Sequence, residues 1–358
     1  MIRVLVTDDS PTVCQILRQC LETDEDIQVV GTAENGKDAL KKTQELRPDL
    51  ITMDIDMPVL NGFEATEQIM AYAPTPILVV TGSDLPLAHL SFKALEVGAL
   101  DVLPKPHAAE MKTGTTFMRT LIQQVKMLSK VPVIAHMAGR EPHPHLPPIS
   151  VRIESPTKII AIASSTGGPK VLTELLGALP EGFPAAILLV QHIADGFSDG
   201  LIHWLSKHCE MRVALATPGE VIEPGAIYLG PNGRHLMVHR NGLLGLQDSP
   251  PVKGFRPSAN VLFESVARVY GSKAIGVVLT GMGADGADGI RAIREAGGQT
   301  FAQDQETSLV FGMPKAAIET DSVDHVLPAE KIPEELVRLV TDPFSWHDSS
   351  EGGSEESD

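Results

Sequence analysis

Cysteine is nearly missing from the 358-residue chain: Cys14, Cys20 and Cys209 are the only three. None lies at metal-ligand spacing, which excludes a thiolate metal centre, and an odd count suits a reduced compartment. Long apolar runs are missing too. No stretch reaches the roughly 18 uninterrupted apolar residues of a spanning helix. The opening MIRVLVTDDS has an apolar run too short for a signal peptide, with acids directly behind it. The chain therefore reads as cytoplasmic. Basic runs are missing as well: 29 Lys and Arg stand against 46 Asp and Glu, a formal charge of −17. Such a charge repels phosphate backbones and anionic lipid, and with no basic stripe or helix-turn-helix pattern it argues against nucleic acid as a partner.

What is present is the material of full cores, 43% hydrophobic and 21% charged residues, in a chain long enough for two domains. Up to about residue 105, short apolar runs alternate with amphipathic helix patterns. The predicted strands are Ile2–Thr7, Ile27–Ala33, Leu50–Asp54, Ile77–Thr81 and Val102–Leu103, with helices such as Pro11–Glu22 and Gly36–Leu46 between them. That rhythm means βαβ units and a parallel sheet covered on both faces. Residues 112–130 read as a closing helix. Prolines and the histidines His136, His143 and His145 mark residues 131–156 as a linker rather than a metal site, because no carboxylate or Cys accompanies them at fixed spacing. A second α/β rhythm follows from Lys158 to about Val340. Its strands are Ile159–Ala163, Ala186–Val190, Ala226–Leu229, His235–Val238, Ala274–Leu279 and Val323–Val326, and its helices include Lys170–Leu179, Val261–Tyr270 and Ile290–Glu295. The expected fold class is α/β, with two doubly wound parallel-sheet domains. The expected organisation is a first domain at 1–128, a linker at 129–156, a second domain at 157–343 and a disordered acidic tail at 344–358.

In open α/β sheets, ligands bind at the carboxyl ends of the strands. In the first half those ends carry Asp8 and Asp9, Asp54, Thr81 and Lys105. Converging carboxylates repel one another unless a cation sits among them, and oxygen ligands suit a hard divalent ion such as Mg²⁺. Asp54 could then attack a phosphoryl donor, with Thr81 and Lys105 holding the phosphate oxygens. Any one of these residues alone reads as a solvated loop cap; five at the ends of four strands of one sheet do not.

The pair Asp8–Asp9 and the runs MDIDMPVLNG (53–62), VVT (79–81) and GALDVLPKP (98–106) resemble the receiver domains of bacterial response regulators, which have a flavodoxin-like fold. The resemblance covers about 125 residues. It implies that Asp54 is the phosphoacceptor and Lys105 the phosphate-sensing lysine, with a histidine kinase as phosphodonor. Val102 departs from it, standing where receivers often carry an aromatic switch residue.

Three strand ends of the second half carry complementary groups. IIAIASSTGGPK (159–170) leads a buried strand through serine and two glycines into a helix with Pro169 in its first turn. That helix start leaves N–H groups free for a developing negative charge. ILLVQH ends on His192, a general-base candidate, and GVVLTGMGADG (276–286) presents Asp285. Serine, base and base-orienting acid thus occur in the order Ser165, His192, Asp285, without a G-x-S-x-G elbow. Other readings stay open on residues alone: the Gly-Gly turn as a phosphate cradle, His192 as core and Asp285 as a helix cap, or a dinucleotide-dependent oxidoreductase. Asp288 is placed to cap the helix near Ile290. His203, His208, His235 and His239 read as solvated or structural.

The motifs STGG (165–168), Gln191–His192, RPSANVLF (256–263), TGMGADG (280–286) and QDQETSLVFGMPK (303–315) resemble the catalytic domain of the protein-glutamate methylesterases of bacterial chemotaxis. With the receiver in front, the resemblance covers nearly the whole chain. It implies a Rossmann-like three-layer α/β esterase domain with Ser165, His192 and Asp285 as triad. It also implies that the Met282 backbone N–H helps form the oxyanion hole and that Thr166 supports the base. The implied reaction is hydrolysis of glutamyl γ-methyl esters on chemoreceptors, with glutamine deamidation as a second activity. No cofactor is implied for the ester reaction. The receiver is expected to occlude the active site until Asp54 is phosphorylated. Asn260 departs from the family, which usually carries Asp there. Chemotaxis and a related surface-behaviour pathway are not separated by these residues.

Overall fold

Apolar runs flanked by loop-forming residues become parallel strands in a computed structural model that describes residues 1–82, 87–106, 115–133 and 158–341. The expected linker, but for its first residues, and the expected acidic tail lie outside the described residues. The chain divides into two compact units, Met1–Pro142 with Ile193–Trp204, and His143–His192 with Leu205–Asp358.

The first unit alternates β1 (Ile2–Thr7), α1 (Pro11–Leu21), β2 (Ile27–Ala33), α2 (Gly36–Leu46), β3 (Leu50–Met53), α3 (Gly62–Tyr72), β4 (Ile77–Thr81), α4 (Leu87–Glu96), β5 (Asp101–Pro104) and α5 (Thr115–Leu128). The strands form one parallel sheet in the order β2-β1-β3-β4-β5. Its core includes Leu5, Ile51, Met53, Ile69, Ile77 and Val79, all buried. Helix starts match their sequences. Ser10 caps α1 ahead of Pro11, Asn35 caps α2, and Asn61 with Glu64 closes a capping box on α3, each side chain occupying N–H groups a helix start leaves unpaired. β3 ends at Met53, so Asp54 lies just past the strand rather than within it.

The chain then runs through β6 (Ile159–Ser164), α6 (Gly168–Gly177), β7 (Ala186–Gln191), α7 (Ser198–Ser206, most of it grouped with the first unit), β8 (Arg212–Leu215) and β9 (Ala226–Leu229), followed by β10 (His235–Val238) and β11 (Leu244–Gln247). Then come α8 (Ala259–Tyr270), β12 (Ala274–Val278), α9 (Ala287–Glu295), β13 (Gln299–Gln303), α10 (Met313–Ile318), β14 (His325–Leu327) and α11 (Ile332–Thr341). Seven strands form a parallel sheet in the order β14-β13-β12-β6-β7-β9-β8. Every residue of β6, β7 and β12 is buried, as expected of strands covered on both faces. The chain runs from β6 outward through β7 and returns to lay β12 on the other side, so the strand order reverses beside β6. Crevices form at such reversals.

Some expected elements shift. His235–Val238 is a strand, but it pairs antiparallel with β11 in a separate two-stranded ribbon. The strand expected at Val323–Val326 starts at His325, because the Asp324 carboxylate takes the Thr300 N–H at 3.0 Å and its hydroxyl at 2.9 Å. β13 carries too few apolar residues to be legible as a strand: it reads QTFAQ.

Candidate active site and phosphoacceptor site

The reversal between β1 and β3 positions the first site. Asp8 follows β1 and Asp54 follows β3, both buried, while Asp9 is exposed. Asp8, Asp9 and Asp54 each bring a carboxylate oxygen within 4.8 Å of the others. Lys105, just beyond β5, reaches Asp8 at 2.5 Å and Asp54 at 3.0 Å. Its backbone N–H donates to the Thr81 carbonyl at 2.8 Å. The Thr81 hydroxyl is buried with no partner among the described residues. Ser10 N–H donates to Asp8 Oδ1 at 3.0 Å and Ile55 N–H to Asp54 Oδ1 at 2.9 Å. Burial raises the Asp54 carboxyl above its ordinary range; Lys105 opposes that shift and the Asp8 charge adds to it. Three carboxylates sharing one lysine are short of positive charge, and an all-oxygen donor set with one exposed member fits a hard, partly hydrated divalent cation such as Mg²⁺. Gly62 is required here: a Cβ on it would sit 2.0 Å from the Asp54 carbonyl. Val102 lies on β5, partly buried and packed against the core of the first unit.

The second site lies beyond the ends of β6, β7 and β12. Ser165 follows β6 and His192 follows β7, and His192 N–H donates to the Ser164 carbonyl at 2.9 Å. Gln191, buried between them, holds both loops. Its Nε2 donates to the Ser165 carbonyl at 2.8 Å and the His192 carbonyl at 2.9 Å, while its Oε1 accepts from Ser164 Oγ at 2.6 Å. Gly168 must be glycine beside it, since a Cβ would fall 2.1 Å from Gln191 Oε1. Ser165 N–H donates to the Thr280 carbonyl at 3.0 Å, and Thr280 Oγ1 donates to the Thr166 carbonyl at 3.0 Å. Gln303 Oε1 takes the Thr280 N–H at 2.8 Å.

Asp285 is 1% exposed and surrounded by donors. His192 Nε2 lies 3.0 Å from Oδ2, Ser258 Oγ donates to Oδ1 at 2.7 Å, Ala259 N–H to Oδ2 at 2.6 Å and Asn260 N–H to Oδ1 at 3.2 Å. Burial alone would raise this carboxyl, but the His192 and Ser258 hydrogen bonds, the His192 charge and the Ala259 N–H outweigh it and hold it below the ordinary carboxylate range. An ionised Asp285 only accepts, so His192 Nε2 carries the hydrogen. The Nδ1 atom of His192 is buried and unpartnered among the described residues. Phe255 stacks on the imidazole with ring centroids 4.1 Å apart and planes at 10°. Phe255 sits on a tight turn whose Lys253 and Gly254 have φ of 50° and 91°.

The structure therefore brings His192 and Asp285 into contact and ties the Ser165 loop to the His192 loop through backbone and Gln191. Among the described residues no hydrogen bond joins Ser165 to His192, none joins Thr166 to His192, and the Met282 N–H has no acceptor. Asp288 corrects an expectation: α9 begins at Ala287, and Asp288 in its first turn pairs with Lys253 instead of capping. The N–H groups of Gly286 and Gly289 go to Asn260 Oδ1 at 3.0 and 2.9 Å. His235 is fully buried, the structural one of the two readings expected for it. Sequence reasoning assigned no role to Gln191, Phe255, Ser258 or Asn260, although Gln191 adjoins His192 and the other three lie in or beside RPSANVLF. Signals existed in those motifs, but no spacing rule connects residue 258 or 260 to residue 285.

Comparison with known proteins agrees with this architecture. A profile described as CheB methylesterase matches residues 160–336, and one described as response regulator receiver domain matches residues 4–135. A protein-glutamate methylesterase/protein-glutamine glutaminase of Syntrophus aciditrophicus is 43% identical over 346 residues, covering 95% of this chain and 99% of the relative. One of Nitrosospira multiformis is 43% identical over 348 residues, covering 96% and 98%. The crystal structure of the Thermotoga maritima CheB methylesterase catalytic domain superposes with a TM-score of 0.51 at 42% identity, over 52% of this chain and 100% of that one. With the receiver ahead of the catalytic sheet, as in relatives aligned from end to end, the chain belongs to the protein-glutamate methylesterase/protein-glutamine glutaminase family, a group of chemotaxis response regulators that are also hydrolases.

Proposed function

We propose that Ser165, His192 and Asp285 are the catalytic triad of this enzyme, and that phosphorylation of Asp54 raises its activity. The observation that carries the triad is the polarity of His192: Nε2 is held by Asp285 at 3.0 Å while Nδ1 has no partner among the described residues, on a loop stapled to the one bearing Ser165. An oriented imidazole with one free lone pair next to a serine is the arrangement general-base activation needs.

In the reaction, Ser165 Oγ attacks the γ-carbonyl carbon of a glutamyl methyl ester on a chemoreceptor, and its proton passes to His192 Nδ1. The new oxyanion accepts from backbone N–H groups, including that of Met282, each worth about 3–4 kcal/mol in the transition state. When the tetrahedral species collapses, the C–OCH₃ bond breaks and His192 returns the proton to the leaving oxygen, releasing methanol. Water then attacks the acyl-enzyme and gives its proton to His192, which reprotonates Ser165 as free glutamate leaves. A glutamine substrate follows the same course with ammonia as leaving group. Thr166 is assigned support of the base loop, its carbonyl fixed by Thr280. The ester reaction requires no cofactor in this scheme.

In the receiver, a histidine kinase supplies the phosphoryl group to Asp54, and Thr81 Oγ1 and Lys105 Nζ contact the phosphate oxygens. Asp8, Asp9 and Asp54 would hold Mg²⁺, which would supply the positive charge that phosphoryl transfer between anions requires. Activation follows if the unphosphorylated receiver disfavours substrate access; tenfold activation needs only about 1.4 kcal/mol of bias. The proposed domain limits are those of the sequence, 1–128 and 157–343. No described helix is long and apolar enough to cross a membrane, which accords with a cytoplasmic enzyme. Ser165→Ala tests the triad: turnover should vanish with the fold unchanged, and retained esterase activity would refute it.

A further inference from the structure

His235, on β10, is fully buried, and both its ring nitrogens are engaged. Its Nδ1 accepts the Ser258 N–H at 3.1 Å, and its Nε2 lies 3.2 Å from the Pro250 carbonyl. A carbonyl only accepts, so the hydrogen is on Nε2 and the lone pair on Nδ1. Ser258 is the residue before α8, where a serine hydroxyl normally bonds to its own helix's N–H groups. It makes no such bond. The hydroxyl donates instead to Asp285 Oδ1 at 2.7 Å, and Asp285 takes the N–H groups of Ala259 and Asn260 in the helix's first turn.

We propose that His235 is a positioning residue for the esterase. It fixes the Ser258 backbone, the Ser258 hydroxyl fixes the Asp285 carboxylate, and Asp285 fixes the His192 imidazole. His235 itself is separated from His192 by Ser258 and Asp285 and touches no reacting atom. The requirement is chemical rather than spatial: the position must offer an acceptor to the Ser258 N–H and a donor to the Pro250 carbonyl. An apolar residue of equal volume would leave the buried Ser258 N–H unpaired and deprive the Pro250 carbonyl of its donor. A shifted Ser258 would leave Asp285 with fewer donors on Oδ1 and free to turn away from His192. This role rests on Asp285 being the orienting acid of the triad.

The test uses full-length variants assayed for methanol release from methylated receptor, with phosphodonor and Mg²⁺, reading kcat and KM separately. In His235→Asn the amide oxygen stands near the Nδ1 position and can accept from Ser258; in His235→Gln the amide lies near Nε2 and cannot. Small displacements of a catalytic group cost up to about 100-fold. His235→Gln should therefore lose about 10- to 100-fold in kcat at unchanged KM, while His235→Asn recovers kcat to within about threefold of wild type. Ser258→Ala, which deletes only the hydroxyl link, should fall with His235→Gln and carries the test if the glutamine variant does not fold. Wild-type kcat in His235→Gln or Ser258→Ala, or equal losses in the Asn and Gln variants, would overturn the proposal. Asp285→Asn separates the two levels. If it is inactive while His235→Gln is not, only the role of His235 falls; if it is fully active, the triad falls with it.

Discussion

Asn260 and Asp285 cap each other's helices. Asp285, in the loop before α9, accepts the Asn260 N–H in the first turn of α8 at 3.2 Å, and Asn260 Oδ1 accepts the N–H groups of Gly286 and Gly289 at the start of α9 at 3.0 and 2.9 Å. Both side chains are buried, so the exchange satisfies donors that water could not reach. It also locks the loop that carries the proposed acid of the triad against the helix start that supplies its donors.

Asn260→Ala removes both bonds to α9. The expected cost is about 1–2 kcal/mol of stability, the usual loss for a helix cap, read as a lower denaturant midpoint with unchanged m-value. A fall in kcat should accompany it, because the Asp285 loop loses its tether. The gain of removing the Asn260 Nδ2 group, buried and unpartnered among the described residues, is included in that figure and does not reverse its sign.

Gln191→Glu replaces the two N–H donors that hold the Ser165 and His192 carbonyls with an acceptor. Two partly buried carbonyls and a buried carboxylate then face one another, and the expected destabilisation is about 3–5 kcal/mol. Gln191→Leu, which removes the staple without adding charge, should fold and lose about 10- to 100-fold in kcat with KM little changed. Steady-state kinetics and thermal melting of both variants check this.

Phe255 covers one face of the His192 ring. Truncating it in Phe255→Ala opens that face to water and frees the imidazole to rotate away from Asp285, so kcat should drop about tenfold. Phe255→Tyr keeps the stacked ring and should stay within about threefold of wild type. Equal kcat values for the alanine variant and wild type would show that the stack does not orient the base.

The raised Asp54 carboxyl carries a pH signature in stability. Above its folded value, the native state holds a buried charge that the unfolded chain solvates freely, so the charge destabilises the receiver. As pH falls through the folded value toward the ordinary carboxylate value, the native state takes up the proton first and the penalty disappears. Asp54→Asn should therefore raise the melting temperature at neutral pH, and its advantage should shrink on acidification and on adding Mg²⁺. Melting curves at several pH values, with and without Mg²⁺, measure this; a variant less stable than wild type at neutral pH would contradict it.

The two parallel sheets are legible in the sequence wherever a strand is buried on both faces, as in IIAIAS and AILLVQ, because continuous apolar runs ending in Gly, Ser or Asp have few other uses in a soluble domain. The groups on those strand ends are legible for the same reason: the strand fixes where Ser165, His192 and Asp54 emerge. β13 escapes such reading because the Gln303 at its end serves the structure through side-chain bonds to Thr280 and Thr307. The donors around Asp285 escape it because Ser258 and Asn260 reach that carboxylate across the fold, and reciprocal capping leaves no periodic trace. Asp288 illustrates the converse: a residue with cap-like spacing is spent on an ion pair with Lys253, since α9 already begins at Ala287 and Asp288 stands inside its first turn.

The most direct test is methanol release by the full chain from methylated receptor fragments with Mg²⁺, before and after a small-molecule phosphodonor. The account predicts release that rises with phosphodonor in wild type, stays at the basal level in Asp54→Ala and is absent in Ser165→Ala. Turnover that persists in Ser165→Ala, or a rise with phosphodonor that persists in Asp54→Ala, would contradict it.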